Sequence, residues 1–216
     1  MPQPSASRPS LRLERRFLSQ GHRLIAGIDE AGRGAWAGPV VAAAVILPLD
    51  RPNLLSILKG VNDSKQLTAR EREKFFGAIR EAAVSIGVGG AGPGEVDRDG
   101  LIAATRAAMQ RAVVMLHPQP EALLIDAVNL QSLISIPQHF LNYGDSISLS
   151  IAAASIVAKV TRDRAMTVLD SRYPGYGFAR HKGYGTAVHR AVLEQIGVSE
   201  VHRASYAPVK ELLQKE

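Results

Sequence analysis

Two adjacent carboxylates, Asp29 and Glu30, close an apolar run that passes through Leu24, Ile25, Ala26, Gly27 and Ile28, and a Gly32-Arg33-Gly34 turn follows almost at once. Carboxylates at the end of a buried strand are costly unless something cationic neutralises them. Hard divalent ions such as Mg²⁺ take oxygen ligands of this kind, usually one or two carboxylates together with substrate phosphate. Glycine leaves backbone N–H groups open to close approach, and the Arg33 guanidinium is a fork of donors that matches phosphate. The combination points to metal-assisted chemistry on a phosphodiester. Gly32, Gly34 and Gly38 do not have the spacing of a dinucleotide fingerprint.

Further acids stand where strands end or helices begin. Asp126 closes the apolar stretch Leu123-Leu124-Ile125, and Asp145 follows Gly144 just ahead of a helical stretch. With Asp29 and Glu30 they would suit two divalent ions roughly 3.5–4 Å apart, which activate water and stabilise the leaving oxygen of an in-line displacement. An aspartate at a strand end also serves as a turn former or helix cap, and that reading stays open for Asp126 and Asp145. Neighbours on a strand point to opposite faces. Asp29 and Glu30 therefore share a site only if the strand ends or bends between them, or if Glu30 reaches around.

Ser155, Lys159 and Asp163 recur every four residues and form one polar edge of a helix. They are either an ion pair on a solvated face or a placement of Lys159 near phosphate or the carboxylates. Asn62-Asp63-Ser64-Lys65 is a polar loop that either contacts a nucleic-acid backbone or simply turns the chain. Arg180, His181, Lys182 and Tyr184 lie among glycines, as a phosphate grip with a ring for a sugar or base would, or as an ordinary surface loop. Glu95, Asp97 and Asp99 read as helix caps rather than metal ligands.

The elements that must position these groups follow from hydrophobic pattern and punctuation. Strands are expected at 24–29, 40–47 (stopped by Pro48), 84–88, 123–126 and 147–149. Residues 51–66, 89–94 and 173–185 read as loops. Thr68 with Glu71 three positions on is a capping box opening a helix to about residue 83. Asp99 is expected to cap a helix over 101–116, ended by Pro118 and Pro120. Further helices are expected at 150–169, 186–196 and 208–214, with a short one at 11–19 closing a Pro-, Ser- and Arg-rich flexible tail over 1–20. Strands first and interleaved helices later give an α/β fold, a mixed sheet with helices on its faces.

The 216 residues are 46% hydrophobic, enough for one large domain with a sizeable core. A formal charge of +6 favours a polyanionic partner, nucleic acid first. The absence of cysteine excludes disulfides, thiolate zinc sites and cysteine nucleophiles. No apolar run approaches the roughly 20 residues that cross a bilayer, so no membrane partner is expected. The first 20 residues lack the apolar centre of a secretory signal, which makes the cytoplasm the expected location.

The chain resembles the type 2 ribonucleases H, the bacterial ribonuclease HII family, from about Ile25 to about Val209. Five segments carry the likeness in order: 27–34 with Asp29, Glu30 and the Gly-Arg-Gly turn; 62–67 with Ser64 and Lys65; 152–163 with Ser155 and Lys159; 181–186 with Tyr184; and 202–209. The resemblance implies a ribonuclease H-like catalytic domain over 21–170 and a helical C-terminal extension over 171–216 packed on it. It implies Asp29, Glu30, Asp126 and Asp145 as the acidic ligands of Mn²⁺ or Mg²⁺. It implies that Gly32, Arg33 and Gly34 sense a ribose 2′-hydroxyl and that Tyr184 packs on the sugar at the RNA–DNA junction. Ser64, Lys65, Ser155 and Lys159 belong to the implied substrate-binding set. The implied activity is cleavage on the 5′ side of a ribonucleotide, in an RNA/DNA hybrid or embedded in duplex DNA, leaving 3′-hydroxyl and 5′-phosphate ends; separately, a monomer is expected. Two positions depart from the family pattern: Ala127 stands where glycine is usual after the third acid, and Tyr143 where lysine is usual before Gly144-Asp145.

Two other readings make different predictions. A related metal-dependent DNA nuclease or resolvase would cut all-DNA duplex equally well. A non-catalytic nucleic-acid binder would show salt-sensitive duplex binding and no products with any divalent metal.

Overall fold

A computed structural model describes residues 8–214. Five strands form one sheet: β1 (Ile25–Ala31), β2 (Val40–Ile46), β3 (Ser85–Ala91), β4 (Ala122–Asp126) and β5 (Gln138–Leu141). Helices are α1 (Arg12–Ser19), α2 (Leu54–Ile57), α3 (Ala69–Ala82), α4 (Pro93–Asp99), α5 (Leu101–Val114), α6 (Leu149–Arg172), α7 (Phe178–His181), α8 (Ala187–Ile196) and α9 (Ala207–Leu213), with single 3₁₀ turns at Ser64–Gln66 and Gly144–Ser146. The strand order is β3-β2-β1-β4-β5. β1 to β3 are antiparallel neighbours, whereas β4 runs parallel to β1 and β5 parallel to β4. This is the mixed, helix-flanked sheet expected of the pattern.

Strand alternation sorts the core into two layers. Ala26, Ile28, Ala42, Ala44 and Ile46 face α5. Ala31, Ala43 and Val45 face the alanine-rich side of α6 and, beyond it, α3. Small residues on α6 permit that close packing. Asp29 shares the α6 face by the same period of two, which brings it to Ser155. The capping box of α3 forms as read: Thr68 Oγ1 accepts from Glu71 N, and the Glu71 carboxylate accepts from Thr68 N at 2.8 Å.

Several expectations are corrected. Residues 89–91 extend β3 instead of forming a loop. Gly87 and Gly89 serve helix packing, since a Cβ at either would lie 2.0 Å from Ala112 O or 2.2 Å from Ala108 O on α5. Residues 147–149 are not a strand: Ser148 caps α6 by accepting from Ile151 N at 3.2 Å, and the last strand is instead β5, a half-exposed edge too short and polar to show alternation. Gly100, not Asp99, separates α4 from α5, and Asp99 pairs with Arg98 on the surface at 2.7 Å. Short helical turns occur within the stretches read as loops at 51–66 and 173–185.

The flexible-tail reading does not hold over the described part of 1–20. Leu13 and Phe17 of α1 pack against Ile25, Leu124 and Ile151, and Glu14 is wholly buried. Its Oε1 accepts from Ser148 Oγ at 2.7 Å and from Ser150 N at 2.9 Å, capping α6 from a distance. Residues 1–7 lie outside the described part. At the other end, Tyr176, Phe178 and Leu193 form a small cluster with Ala37 and Met166, which packs α7 and α8 onto the end of α6. α6 continues through Arg172, past the boundary expected at 170. Among the described residues no helix is long and apolar enough to cross a membrane.

Candidate active site

Ile28 of β1 pairs with Ile125 of β4, so Asp29 and Asp126 stand just past the last paired residues of these two parallel strands. Asp145 follows β5, the next parallel strand, in the 3₁₀ turn 144–146. Three of the four acids thus stand near or beyond the carboxyl ends of adjacent parallel strands, the edge where open α/β sheets bind ligands. β1 does not end between Asp29 and Glu30, because Glu30 still pairs with Ala42. Glu30 joins the site through its longer side chain, which lines the cleft with Oε1 3.2 Å from Arg33 Nη1. Its backbone N–H donates to Asp29 Oδ1 at 2.7 Å.

The acids act on one another's ionisation. Asp29 is 4% exposed; burial first, then the charges of Glu30, Asp126 and Asp145, push its carboxyl well above the usual range, with the Ser155 hydroxyl opposing. Burial raises Glu30 against the charge and hydrogen bond of Arg33. Burial raises Asp126 against the Gly144 N–H, Lys65 and Arg33. Asp145 is pushed up to about 7 by burial, by the charges of Asp63 and Asp126, and by a hydrogen bond shared with Asp63. For Lys65, burial alone would lower the ammonium, but Asp63, Asp29, Asp145 and Asp126 together carry it upward. Acids that resist ionisation, first because they are buried and then because they repel one another, are what a bound cation would relieve.

Beside them opens a cleft of about 400 Å³ lined by Glu30, Ala31, Gly32, Arg33, Gly34, Ser64, Lys65, Asp126, Ser155, Lys159 and Tyr184. Every substrate-binding candidate read from the sequence therefore borders one space. Ser64 and Ser155 share a hydrogen bond of 2.9 Å, and Arg72 fixes the 62–67 segment by donating to Ser64 O at 3.0 Å and Leu67 O at 2.6 Å. Lys159 pairs with Asp163 at 2.6 Å, both side chains mostly buried rather than on a solvated face, and it also borders the cleft. Its ammonium and the Arg162 guanidinium lie 5.7 and 5.3 Å from the centre of the Tyr184 ring.

The basic stretch 178–185 is mostly structural. Phe178 and His181 are buried, and Lys182 Nζ donates to Asp163 O and Thr167 Oγ1, both at 3.2 Å. The acidic trio near α4 is structural too. Glu95 accepts from Gly92 N at 3.0 Å and pairs with Arg111 at 2.6 Å. Asp97 does not cap its own helix but accepts from the N–H groups of Ala204 and Ser205, at 2.9 Å each, and so tethers the C-terminal extension.

The donor set at the acids is oxygen only, which suits Mg²⁺ or Mn²⁺. Glu30 Oε2 is buried without a hydrogen-bond partner, a vacant lone pair aimed at no protein donor. Among the described residues no three acidic or imidazole side chains enclose a metal position by themselves. Ions of this class take substrate phosphate and water for part of their shell.

A family model described as Ribonuclease HII matches residues 26–209. The chain belongs to the ribonuclease HII family. A Ribonuclease HII of Chloroflexus aggregans is 54% identical over 208 residues, covering 95% of this chain and 96% of that one. The crystal structure of the ribonuclease H2 from Pyrococcus horikoshii superposes with a TM-score of 0.74 at 26% identity, covering 88% of this chain and 97% of that one. The structure of Bst-RNase HIII in complex with Mn²⁺ superposes with a TM-score of 0.68 at 25% identity, covering 89% and 70% of the two chains. As a member of that family, the chain is an endoribonuclease.

Sequence reasoning missed four residues at or behind this candidate site. Asp63, beside Asp145, was hidden in a polar loop. Arg162 and Arg203 are wholly buried, and arginine reads as surface by default. Only the run Ala154, Ala158, Arg162 along one face of α6 marks Arg162 as facing inward. Tyr206 stood in a recognised segment without a role.

Proposed function

We propose that this chain hydrolyses the phosphodiester on the 5′ side of a ribonucleotide, in an RNA/DNA hybrid or within duplex DNA, leaving 3′-hydroxyl and 5′-phosphate ends. What supports the reading is the mutual charge effect among Asp29, Glu30, Asp126 and Asp145, next to a cleft that Glu30 and Asp126 border together with the Gly32-Arg33-Gly34 turn and Tyr184. These four acids would hold Mg²⁺ or Mn²⁺. Two such ions would polarise the scissile phosphate and make water acidic enough to attack at neutral pH.

The remaining work falls to the chain's own groups. Arg33, Lys65 and Lys159 counter the phosphate charge along the cleft. Ser64 and Ser155, each anchoring the other, offer hydroxyls to the same strand. The Gly34 N–H has no protein acceptor among the described residues and is free to meet a ribose 2′-hydroxyl, the group that separates RNA from DNA. The Tyr184 ring, with two cations near it, forms a platform for the adjoining sugar. The charge of +6 favours a duplex partner.

Incubation with duplex DNA carrying one ribonucleotide, with and without Mg²⁺ or Mn²⁺, tests this directly. The expected product is a single metal-dependent nick 5′ to the ribonucleotide, with all-DNA duplex left intact. Equal cutting of all-DNA duplex, or no nick by folded protein in either metal, overturns the proposal.

A further inference from the structure

The turn that faces the substrate is held from behind by the C-terminal extension. The Arg33 carbonyl accepts from two side chains about 170 positions away: Arg203 Nη1 at 2.8 Å and the Tyr206 hydroxyl. Arg203 Nη1 also donates to the Tyr206 oxygen at 2.9 Å, so the three groups close a triangle. The rest of the Arg203 fork, Nε and Nη2, ends on Gly38 O at 3.2 and 2.9 Å. One guanidinium thus pins residues 33 and 38 together. Asp97 holds the strap in place through the N–H groups of Ala204 and Ser205.

Arg203 is 0% exposed, and among the described residues it has no carboxylate within 4.0 Å. A buried cation satisfied by carbonyls and one phenol, with no carboxylate, is an expensive way to obtain stability, since apolar packing of the same volume is commonly at least as good. What the guanidinium supplies is geometry. A trans peptide is planar, so fixing the direction of the Arg33 C=O fixes the opposite direction of the Gly34 N–H. Gly34 borders the cleft, and nothing lies within 4 Å of where its Cβ would stand. With the carbonyl drawn back into the extension, the N–H is turned outward to the substrate.

We propose that Arg203 and Tyr206 are positioning residues for sugar discrimination: they hold the Arg33–Gly34 peptide so that its N–H meets a 2′-hydroxyl. This deepens the proposed function and rests on the Gly34 turn reading the sugar. It also gives the C-terminal extension a share in choosing the substrate.

The test measures binding to two duplexes in Ca²⁺, one with a single ribonucleotide and one all-DNA, for wild type, Tyr206→Phe and Arg203→Lys. Thermal melts run in parallel. Tyr206→Phe removes one hydroxyl and leaves Arg203 Nη1 on the carbonyl. Its preference for the ribonucleotide duplex is expected to fall about three- to tenfold, the scale of one hydrogen bond, with affinity for all-DNA duplex and melting temperature little changed. Arg203→Lys keeps the charge but loses the fork and is expected to lose more. A folded Tyr206→Phe with wild-type preference, or with equal losses on both duplexes, overturns the proposal while leaving the nuclease reading intact. A wild type with no preference removes the reading of the turn itself and this inference with it.

Discussion

Asp126 Oδ1 accepts the backbone N–H of Gly144 at 2.7 Å, so the third acid of the cluster directly fixes the residue preceding the fourth. The bond spans 18 positions and closes the end of β4 onto the turn that carries Asp145. Asp126→Asn keeps an acceptor oxygen for Gly144 but removes a charge. Single-turnover nicking is therefore expected to fall by at least about 10²–10³-fold, the scale of losing one preorganised electrostatic group, with duplex binding and melting temperature preserved. Near-normal nicking would remove Asp126 from the catalytic set.

Gly32 and Gly34 flank Arg33 but are required for different reasons. Gly32 has φ +95°, and a Cβ there would lie 1.9 Å from Arg162 Nε, on a side chain pinned to Pro39 O and Lys182 O. Gly34 has no such neighbour. Gly34→Ala is expected to fold with stability within about 0.5 kcal/mol of wild type, yet to nick poorly because its methyl occupies space the substrate backbone needs. Gly32→Ala is expected to melt earlier. Melting curves paired with nicking rates separate the two, and a fully active Gly34→Ala would show that this residue is a turn former only.

Ala127 carries a cost that its family usually avoids. Its φ is +52°, in the left-handed region where a Cβ meets the carbonyl. Glycine removes roughly 1–2 kcal/mol of that strain and returns about 0.4–1 kcal/mol through the freer unfolded chain. Ala127→Gly should raise the melting temperature by about 2–4 °C if the net gain is near 1 kcal/mol, without changing the cleavage site. A lower melting temperature would show that the left-handed geometry is not strained here. Tyr143, the other departure, is also left-handed at φ +59°, so both departures fall on backbone turns beside the acids rather than on the acids themselves.

How much of this could be read from residue order depends on the scale of the pattern. Asp29, Glu30 and the Gly-Arg-Gly turn announce themselves because charge directly follows a buried run, and the α3 capping box follows from two residues three apart. β5 gives no such signal: four residues on an exposed edge show no alternation, and the strand exists because β4 offers it a parallel partner. Residues 89–94 misled because glycine usually marks a loop, whereas Gly87 and Gly89 are there to admit α5. Arg162, Arg203 and Glu14 are polar groups buried by contacts 120 to 170 positions away. Such burial is a property of the assembled fold, and local periodicity carries no trace of it.

The histidines behind Tyr184 give the extension a dependence on pH. His189 Nδ1–H donates to Tyr184 O at 3.0 Å, which leaves its Nε2 to accept from His202 Nε2–H at 3.1 Å, while His202 Nδ1 accepts from Ser199 N at 3.1 Å. Protonating His189 at Nε2 would set donor against donor across the contact with His202. Burial, first among the causes, holds both His189 and His202 down to about 4, below the ordinary 6.5. The unfolded chain therefore takes up these protons first: the stabilisation is complete above about pH 6.5 and is lost as pH falls from there through 4. Melting temperature should decline between pH 6.5 and 5, and His202→Gln should flatten the decline. An unchanged slope in that variant would assign the acid sensitivity elsewhere.

Crystals of the chain soaked in Mn²⁺ and measured for anomalous scattering ask whether four acids scattered along the sequence form one divalent-ion site. The account predicts manganese peaks bounded by the carboxylates of Asp29, Glu30, Asp126 and Asp145, at the mouth of the cleft that Tyr184 and Gly34 border. Manganese bound elsewhere, with those four carboxylates apart and unliganded, would contradict it.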